Sequence, residues 1–237
     1  MKLLDKVQVK FNSMKEYYLF QFSGIPVVKQ DKISKSELKK YLPANPVMID
    51  CGAHDGADSV ELVRILGGTL HAFEPVTEIY ERLIKRTQNF SNIQCYQLAL
   101  SSQSGRQYFH VSEGASDASS SLLEPDQHLI DHPETSFSRK IEVETVTLNE
   151  WAAANKIPKV DMLWLDMQGF EMQMLQASDK ILKGVQVIHT EVSTKQTYKG
   201  VTLYNTYRAF LEQKGFRMVI EVIPDGWDMG NVLFVRK

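Results

Sequence analysis

The chain has 237 residues, 43% of them hydrophobic and 24% charged, which suits one globular α/β domain with a single large core. A formal charge of -2 and a pI near 6.3 leave no basic excess to neutralise a phosphate backbone, so nucleic acid is not expected as a partner. No apolar run approaches the length of a membrane span, the N-terminus lacks a signal pattern, and Cys51 and Cys95 have neither metal nor disulfide spacing, so a cytoplasmic protein with buried thiols is expected.

Residues 1–46 form a charged leader in which Ser34 and Glu37 suggest a capping box for a short helix through Leu42, closed by Pro43 and Pro46. This N-terminal extension reads as a lid or a dimer contact, which leaves a homo-oligomer open. From Val47 the rest of the chain, 47–237, reads as one domain in which apolar runs alternate with amphipathic stretches, as in a parallel sheet covered on both faces. Strands are expected at 47–51, 69–73, 92–97, 160–166, 185–191, 216–223 and 231–236. Helices fall at about 57–66, 76–88, 148–155, 171–182 and 201–214.

In the second helix Val76, Ile79, Tyr80, Leu83 and Ile84 form one apolar stripe, read as core. Two shorter runs, Arg106–Val111 and Ile141–Val146, pair as an accessory ribbon. The polar stretch between them, 112–140, reads as a substrate lid loop. Thr147 and Glu150 make a second capping box, and Pro224-Asp225-Gly226 turns the last two strands into an antiparallel hairpin.

The most informative stretch is Val47 to Gly56, where an apolar strand runs into an acidic, glycine-bearing turn before a helix. A dinucleotide fingerprint needs a second glycine so that the backbone can approach a pyrophosphate, and His54 stands in that place. Asp50 and Asp55 would repel a diphosphate but attract the sulfonium and ammonium of S-adenosylmethionine. That favours S-adenosylmethionine as cofactor over NAD.

Ligands of open parallel sheets bind beyond the carboxyl ends of the strands, and here those ends are repeatedly acidic. Glu74, with Pro75 behind it, stands where such folds set an acid against a ribose diol. Asp166 ends the fourth main strand, with Gly169 and Glu171 after it, and reads as a catalytic or positioning acid or as a helix cap. His189 and Glu191 alternate onto one face of the fifth strand and could point into the same cleft, or form a satisfied core pair. His189 is the leading candidate base, oriented by Asp166 or Glu191, with Asp166 itself next; His54 is a further candidate, either as base or as part of the cofactor pocket.

Several motifs in order resemble the FkbM family of class I S-adenosylmethionine-dependent methyltransferases from about Val47 to Val235. They are Ile49-Asp50-Cys51-Gly52-Ala53-His54-Asp55-Gly56, Ala72-Phe73-Glu74-Pro75, Ala99-Leu100-Ser101, Ser120-Ser121-Leu122, Val146-Thr147-Leu148, Leu165-Asp166-Met167-Gln168-Gly169-Phe170-Glu171, His189-Thr190-Glu191 and Asn231-Val232-Leu233-Phe234-Val235. The resemblance implies a Rossmann-like, seven-stranded, mostly parallel sheet with an antiparallel last strand, and methyl donation from S-adenosylmethionine to a hydroxyl of a small-molecule, sugar or glycan, or natural-product acceptor. It also implies that Asp50, Gly52, Ala53, Gly56 and Glu74 hold the cofactor with Ala99 near the adenine; His54, Asp55, Pro75 and Asp166 complete the expected pocket. Gln168 departs from the family pattern, which usually has a second acid there. Its neutrality weakens the case for a divalent metal on Asp166, His189 and Glu191, and no metal is assigned. Two other readings are a module that binds the cofactor without catalysis and an NAD-dependent oxidoreductase.

Overall fold

The computed structural model describes residues 33–224 and 226–237; the expectations for residues 1–32 and for Asp225 in the last turn lie outside the described residues. After a 3-10 helix at Lys35–Lys40 come the strands β1 (Val47–Cys51), β2 (Thr69–Phe73), β3 (Ile93–Tyr96), β4 (Ala99–Leu100), β5 (Gly105–Gly114), β6 (Thr135–Val146), β7 (Met162–Leu165), β8 (Val187–Ser193), β9 (Phe216–Val222) and β10 (Met229–Arg236). The helices are α1 (Ala57–Leu66), α2 (Thr77–Thr87), α3 (His128–Asp131), α4 (Leu148–Ala154), α5 (Glu171–Gln176), α6 (Asp179–Leu182) and α7 (Tyr204–Gln213).

Seven strands form one sheet in the order β3-β2-β1-β7-β8-β10-β9. Its pairings are parallel except for β10, which lies antiparallel between β8 and β9. The expected sheet and its antiparallel last strand are therefore present. Strand β7 is buried along its whole length because helices cover both faces, which is why its sequence shows an unbroken apolar run rather than alternation. On one face Ile49, Leu163, Ile188 and Phe234 pack with Leu148 and Trp151 of α4 and Leu211 of α7. On the other, Met48, Leu70, Met162 and Leu233 pack with Leu62 and Val63 of α1.

The described part of the leader belongs to this second face. Ile33 and Leu38 are core residues there, and Lys35 is buried against Asp58 and Glu61 of α1 at 2.6 Å each. The Ser34 capping box does not form: its hydroxyl faces Ser36, and the element is 3-10. Thr147 does cap α4 by accepting the amide of Glu150, and the Glu150 carboxylate turns back to Thr147 and also takes the Ser104 hydroxyl.

In α2, Val76, Ile79 and Leu83 are buried whereas Ile84 is 43% exposed, so the apolar stripe is narrower than its sequence suggests. The expected single helix over 171–182 is two, broken at Ala177-Ser178. There Ser178 bonds back to the Met174 carbonyl, and Asn149 captures the Ala177 carbonyl and the Ile181 amide.

The accessory ribbon is longer than expected. Strands β5 and β6 pair antiparallel with Phe109 opposite Ile141, and β4 joins β6 on its other side. Both ends of the polar stretch are therefore strand, and the loop proper spans 115–134 around α3.

The first turn sets the position of everything beyond the sheet. Gly52 has φ +79, and an added Cβ would lie 1.9 Å from the Asp166 carbonyl oxygen. The amides of Gly52 and Ala53 both donate to the Phe73 carbonyl, and the Asp166 amide donates to Cys51, so three strand ends are laced together here. Gly56, φ +82, lets α1 pass under Leu83 of α2. Gly52→Ala should lower unfolding stability by about 2 kcal/mol or more, since neither the backbone angle nor the space admits a side chain. Thermal or denaturant unfolding checks this, and a loss below roughly 0.5 kcal/mol would mean that the two turns can separate freely.

Candidate functional site

Two cavities open at the carboxyl ends of the strands and meet at one wall. The narrower cleft, about 290 Å³, is lined by the turn after β1, the ends of β2 and β7, and Leu98 to Leu100. Eight predicted cofactor residues stand together on it: Gly52, Ala53, His54, Asp55, Glu74, Pro75, Ala99 and Asp166. Asp58, Phe109, Asp117 and Leu122 also line it and were not singled out in the sequence, although Leu122 lies in the quoted Ser120-Ser121-Leu122 motif; Ile79, expected only as core, lines it too.

Glu74 is buried at the mouth of β2 and accepts the amide of Val76 at 2.8 Å. Burial raises its carboxyl to about 7, with the Val76 and His54 amides opposing. His54, with φ 49, faces Asp117 at 2.9 Å, and Asp117 also takes Arg82, so the segment 115–134 is tied to the first turn by charge. Asp55 is ion-paired with Arg86 and accepts the Ala57 amide at the head of α1.

Two expected cofactor residues stand behind the cleft. Asp50, 1% exposed, faces α1 and accepts the Ser59 hydroxyl, with its carboxyl raised to about 7 by burial. It holds the helix that follows the turn. Gly56 likewise acts through helix packing rather than along the wall.

The wider cavity, about 710 Å³, lies between the 115–134 segment, the loop after β8 and the β9–β10 turn. Asp166 and Ala118 line both cavities. Here the residues after β7 make a polar knot. The Gln168 side-chain amide donates to Asp166 Oδ1 and to Glu191 Oε2, each at 2.7 Å. Its carbonyl end lies 3.1 Å from the Tyr198 hydroxyl, which also bonds the Ser119 carbonyl at 2.7 Å, so the amide's direction is set. Gln168 has φ 52, a conformation that a non-glycine residue holds only where its surroundings impose it.

Beneath the knot, buried Glu171 accepts the amides of Met167 at 2.8 Å and Gly169 at 3.3 Å, with its carboxyl raised to about 7 by burial. Ser121 ties the loop above to the same turn by donating to the Gln168 carbonyl at 2.9 Å. Burial first, then Asp166 and Glu171, drives the Glu191 carboxyl well above the usual carboxylate range.

His189 departs from its expected place. Strand β8 runs on to Ser193, so His189 sits inside the sheet rather than at its edge, and it lines neither cavity. Its ring stacks on Trp164 with centroids 3.6 Å apart and planes 3° from parallel, and its buried Nδ1 has no hydrogen-bond partner among the described residues. Burial lowers its pKa to about 3, so the ring stays neutral at physiological pH. Glu191, two residues on, does reach the wider cavity.

Comparison with known proteins bears on what fills these spaces. Residues 50–218 match the Methyltransferase FkbM domain. The chain is 29% identical over 162 residues to the 2-O-methyltransferase NoeI of Sinorhizobium fredii (strain NBRC 101917 / NGR234), covering 66% of this chain and 67% of that protein. The Methanococcus jannaschii fibrillarin pre-rRNA processing protein superposes with a TM-score of 0.51 at 14% identity over 88% of this chain and 71% of its own; this likeness concerns the fold alone. No helix among the described residues is long and apolar enough to cross a membrane.

The buried acids make stability depend on pH in a definite direction. Unfolded, Glu171 would titrate near 4, whereas folded it titrates near 7, so between those values the folded chain holds the extra proton and stability falls as pH rises. His71 and His189, lowered by burial to about 4 and about 3, oppose this: they are charged only in the unfolded chain below about 6.5 and so favour folding as pH rises through that window. A variant isolates the first effect. Glu171→Gln, measured by thermal unfolding of the ligand-free protein, should gain stability relative to the parent progressively from pH 5 to 8; a constant difference would show that Glu171 ionises normally when folded.

Proposed function

We propose, for a chain that belongs to the FkbM methyltransferase family and takes its methyl group from S-adenosylmethionine, O-methylation of a hydroxyl on a small-molecule or glycan acceptor held in the wider cavity. The observation that carries this reading is the shared wall: the Asp166 side of the cofactor cleft is also the inner end of the wider cavity. A donor in one space and an acceptor in the other would meet there.

The cleft's chemistry suits an adenosyl ligand with a cationic end. Ile79, Ala99, Phe109 and Leu122 offer an apolar slot for a base, and Glu74 offers a carboxylate for vicinal hydroxyls. Asp58 and Asp55 on the first turn of α1 and just before it supply negative charge, each shared with a basic partner, Lys35 and Arg86. When bound, S-adenosylmethionine supplies an electrophilic methyl group on a sulfonium.

The chain's part is then to place the acceptor oxygen in line and to accept its proton as the new bond forms. Asp166 fits that second task better than His189, because it lines both cavities while His189 is stacked inside the sheet. Gln168 aims the Asp166 carboxylate and bridges it to Glu191, whose carboxyl burial, then Asp166 and Glu171, drives above the usual carboxylate range. The 115–134 segment, bonded to the first turn through Asp117 and to the post-β7 turn through Ser121, acts as the lid over both ligands.

Asp166→Asn should lower kcat roughly 10²- to 10⁴-fold with a much smaller change in cofactor affinity, whereas undiminished kcat would remove Asp166 as proton acceptor. Cofactor binding should also track Glu74. Below about pH 7 its carboxyl must lose a proton before it can accept hydroxyls and attract a cation, so affinity should tighten about tenfold per pH unit on rising toward 7 and then level off. Glu74→Gln should weaken binding by roughly 10- to 100-fold and flatten that dependence, as isothermal titration calorimetry with S-adenosylmethionine from pH 5.5 to 8.5 would read. A pH-independent affinity in the parent protein would displace Glu74 from the ribose.

A further inference from the structure

The wider cavity carries features that the transfer step does not use. At its outer end the wall includes His128, only 5% exposed, whose ring stacks on Tyr198 with centroids 5.4 Å apart. Its two ring nitrogens are shielded and have no hydrogen-bond partner among the described residues, so the ring shapes this end of the cavity by packing rather than by offering donors.

The second feature is Trp227, which forms part of the same cavity wall and is 66% exposed, while Trp151 and Trp164 are buried. Its ring offers a flat apolar platform of the kind that packs on the C–H face of a sugar ring. Both features are fastened to the loop that leaves β8. The His128 amide donates to the Thr197 carbonyl, the Thr194 amide donates to the Asp228 carbonyl at 2.7 Å, and Lys195 pairs with the Asp228 carboxylate at 2.6 Å.

The third is charge. The described lining holds the carboxyl groups of Asp131, Glu134, Asp166, Glu191 and Asp228 against Lys195 alone, and Lys195 is already paired. Such a lining repels phosphate. At about 710 Å³ the cavity is also more than twice the size of the cofactor cleft, which leaves room beyond a single reacting ring.

Resting on the placement of the acceptor in this cavity, we infer that the acceptor is an uncharged saccharide of at least two rings, whose distal ring stacks on Trp227, and that phosphorylated or nucleotide-linked sugars are refused.

The test is transfer of labelled methyl from S-adenosylmethionine by the full chain to a panel of neutral di-, tri- and tetrasaccharides, alongside the same sugars as phosphate esters and nucleoside diphosphate conjugates. Label is expected in neutral saccharides only. Trp227→Ala, at an exposed site, should raise KM for the methylated saccharide at least tenfold with a smaller effect on kcat, whereas His128→Phe, which keeps a ring against Tyr198, should leave KM nearly unchanged; both should leave calorimetric affinity for S-adenosylmethionine unaltered. Preferred methylation of the phosphorylated or nucleotide-linked forms would overturn the inference. So would an unlabelled panel with intact cofactor binding, or an unchanged KM in Trp227→Ala. Failure of S-adenosylmethionine to bind in a Glu74-dependent way would instead remove the donor placement beneath it, a result read on a separate instrument.

Discussion

At Gly52 the turn leaving β1 presses against the carbonyl of Asp166 so closely that not even a methyl group fits between them. This contact makes one site out of two strand ends. It brings the cofactor cleft to the back of the residue that also closes the wider cavity, and it needs a backbone angle that side-chain-bearing residues rarely adopt. The lacing of Gly52, Ala53 and Asp166 to Phe73 and Cys51 fixes the relative position of the two cavities. A methyltransferase whose protein contribution is chiefly alignment depends on that rigidity.

Around this contact the chain accumulates buried carboxyl groups at a cost in stability. Asp50, Glu74 and Glu171 are each raised to about 7, and Glu191 is raised well above the usual carboxylate range by the same burial. Asp50 and Glu171 line neither cavity; they hold up the turns that do, one through Ser59 and the other through the Met167 and Gly169 amides. Acids near neutrality can be switched to their charged form by a cationic ligand, so part of the folding cost is recovered when the cofactor binds.

Much of the fold was readable because parallel strands buried on both faces leave unbroken apolar runs, and each run from Val47 to Arg236 is a strand. Motif residues that act through backbone or short side chains were readable too, since a turn that must admit a ligand restricts its composition. What escaped were contacts set by tertiary structure. The 171–182 helix breaks because Asn149, distant in sequence, captures its backbone. His189 was expected at the rim because β8 was ended at Glu191; two further residues of strand put it against Trp164. The alternation was right and the depth was wrong. His128 and Trp227 gave no signal, being single residues in a polar loop and a turn, and their chemistry comes from the walls assembled around them.

The pairing of Lys35 with α1 ties the leader to the narrower cleft. Lys35 lies over the Trp164 ring and is bonded to Asp58, which lines that cleft, so the leader both covers the stacked aromatic pair and neutralises a carboxylate of the cleft wall. Burial pulls the Lys35 ammonium toward neutrality, but its two carboxylate partners more than offset this and hold it charged. Peeling residues 33–42 away would thus do two things at once: expose Trp164 to water and return an unbalanced negative charge to the cleft wall at Asp58. Docking of the N-terminal segment is in that sense a setting on the electrostatic potential of the cleft, and anything that competes for Lys35 would shift how strongly the empty protein attracts a sulfonium.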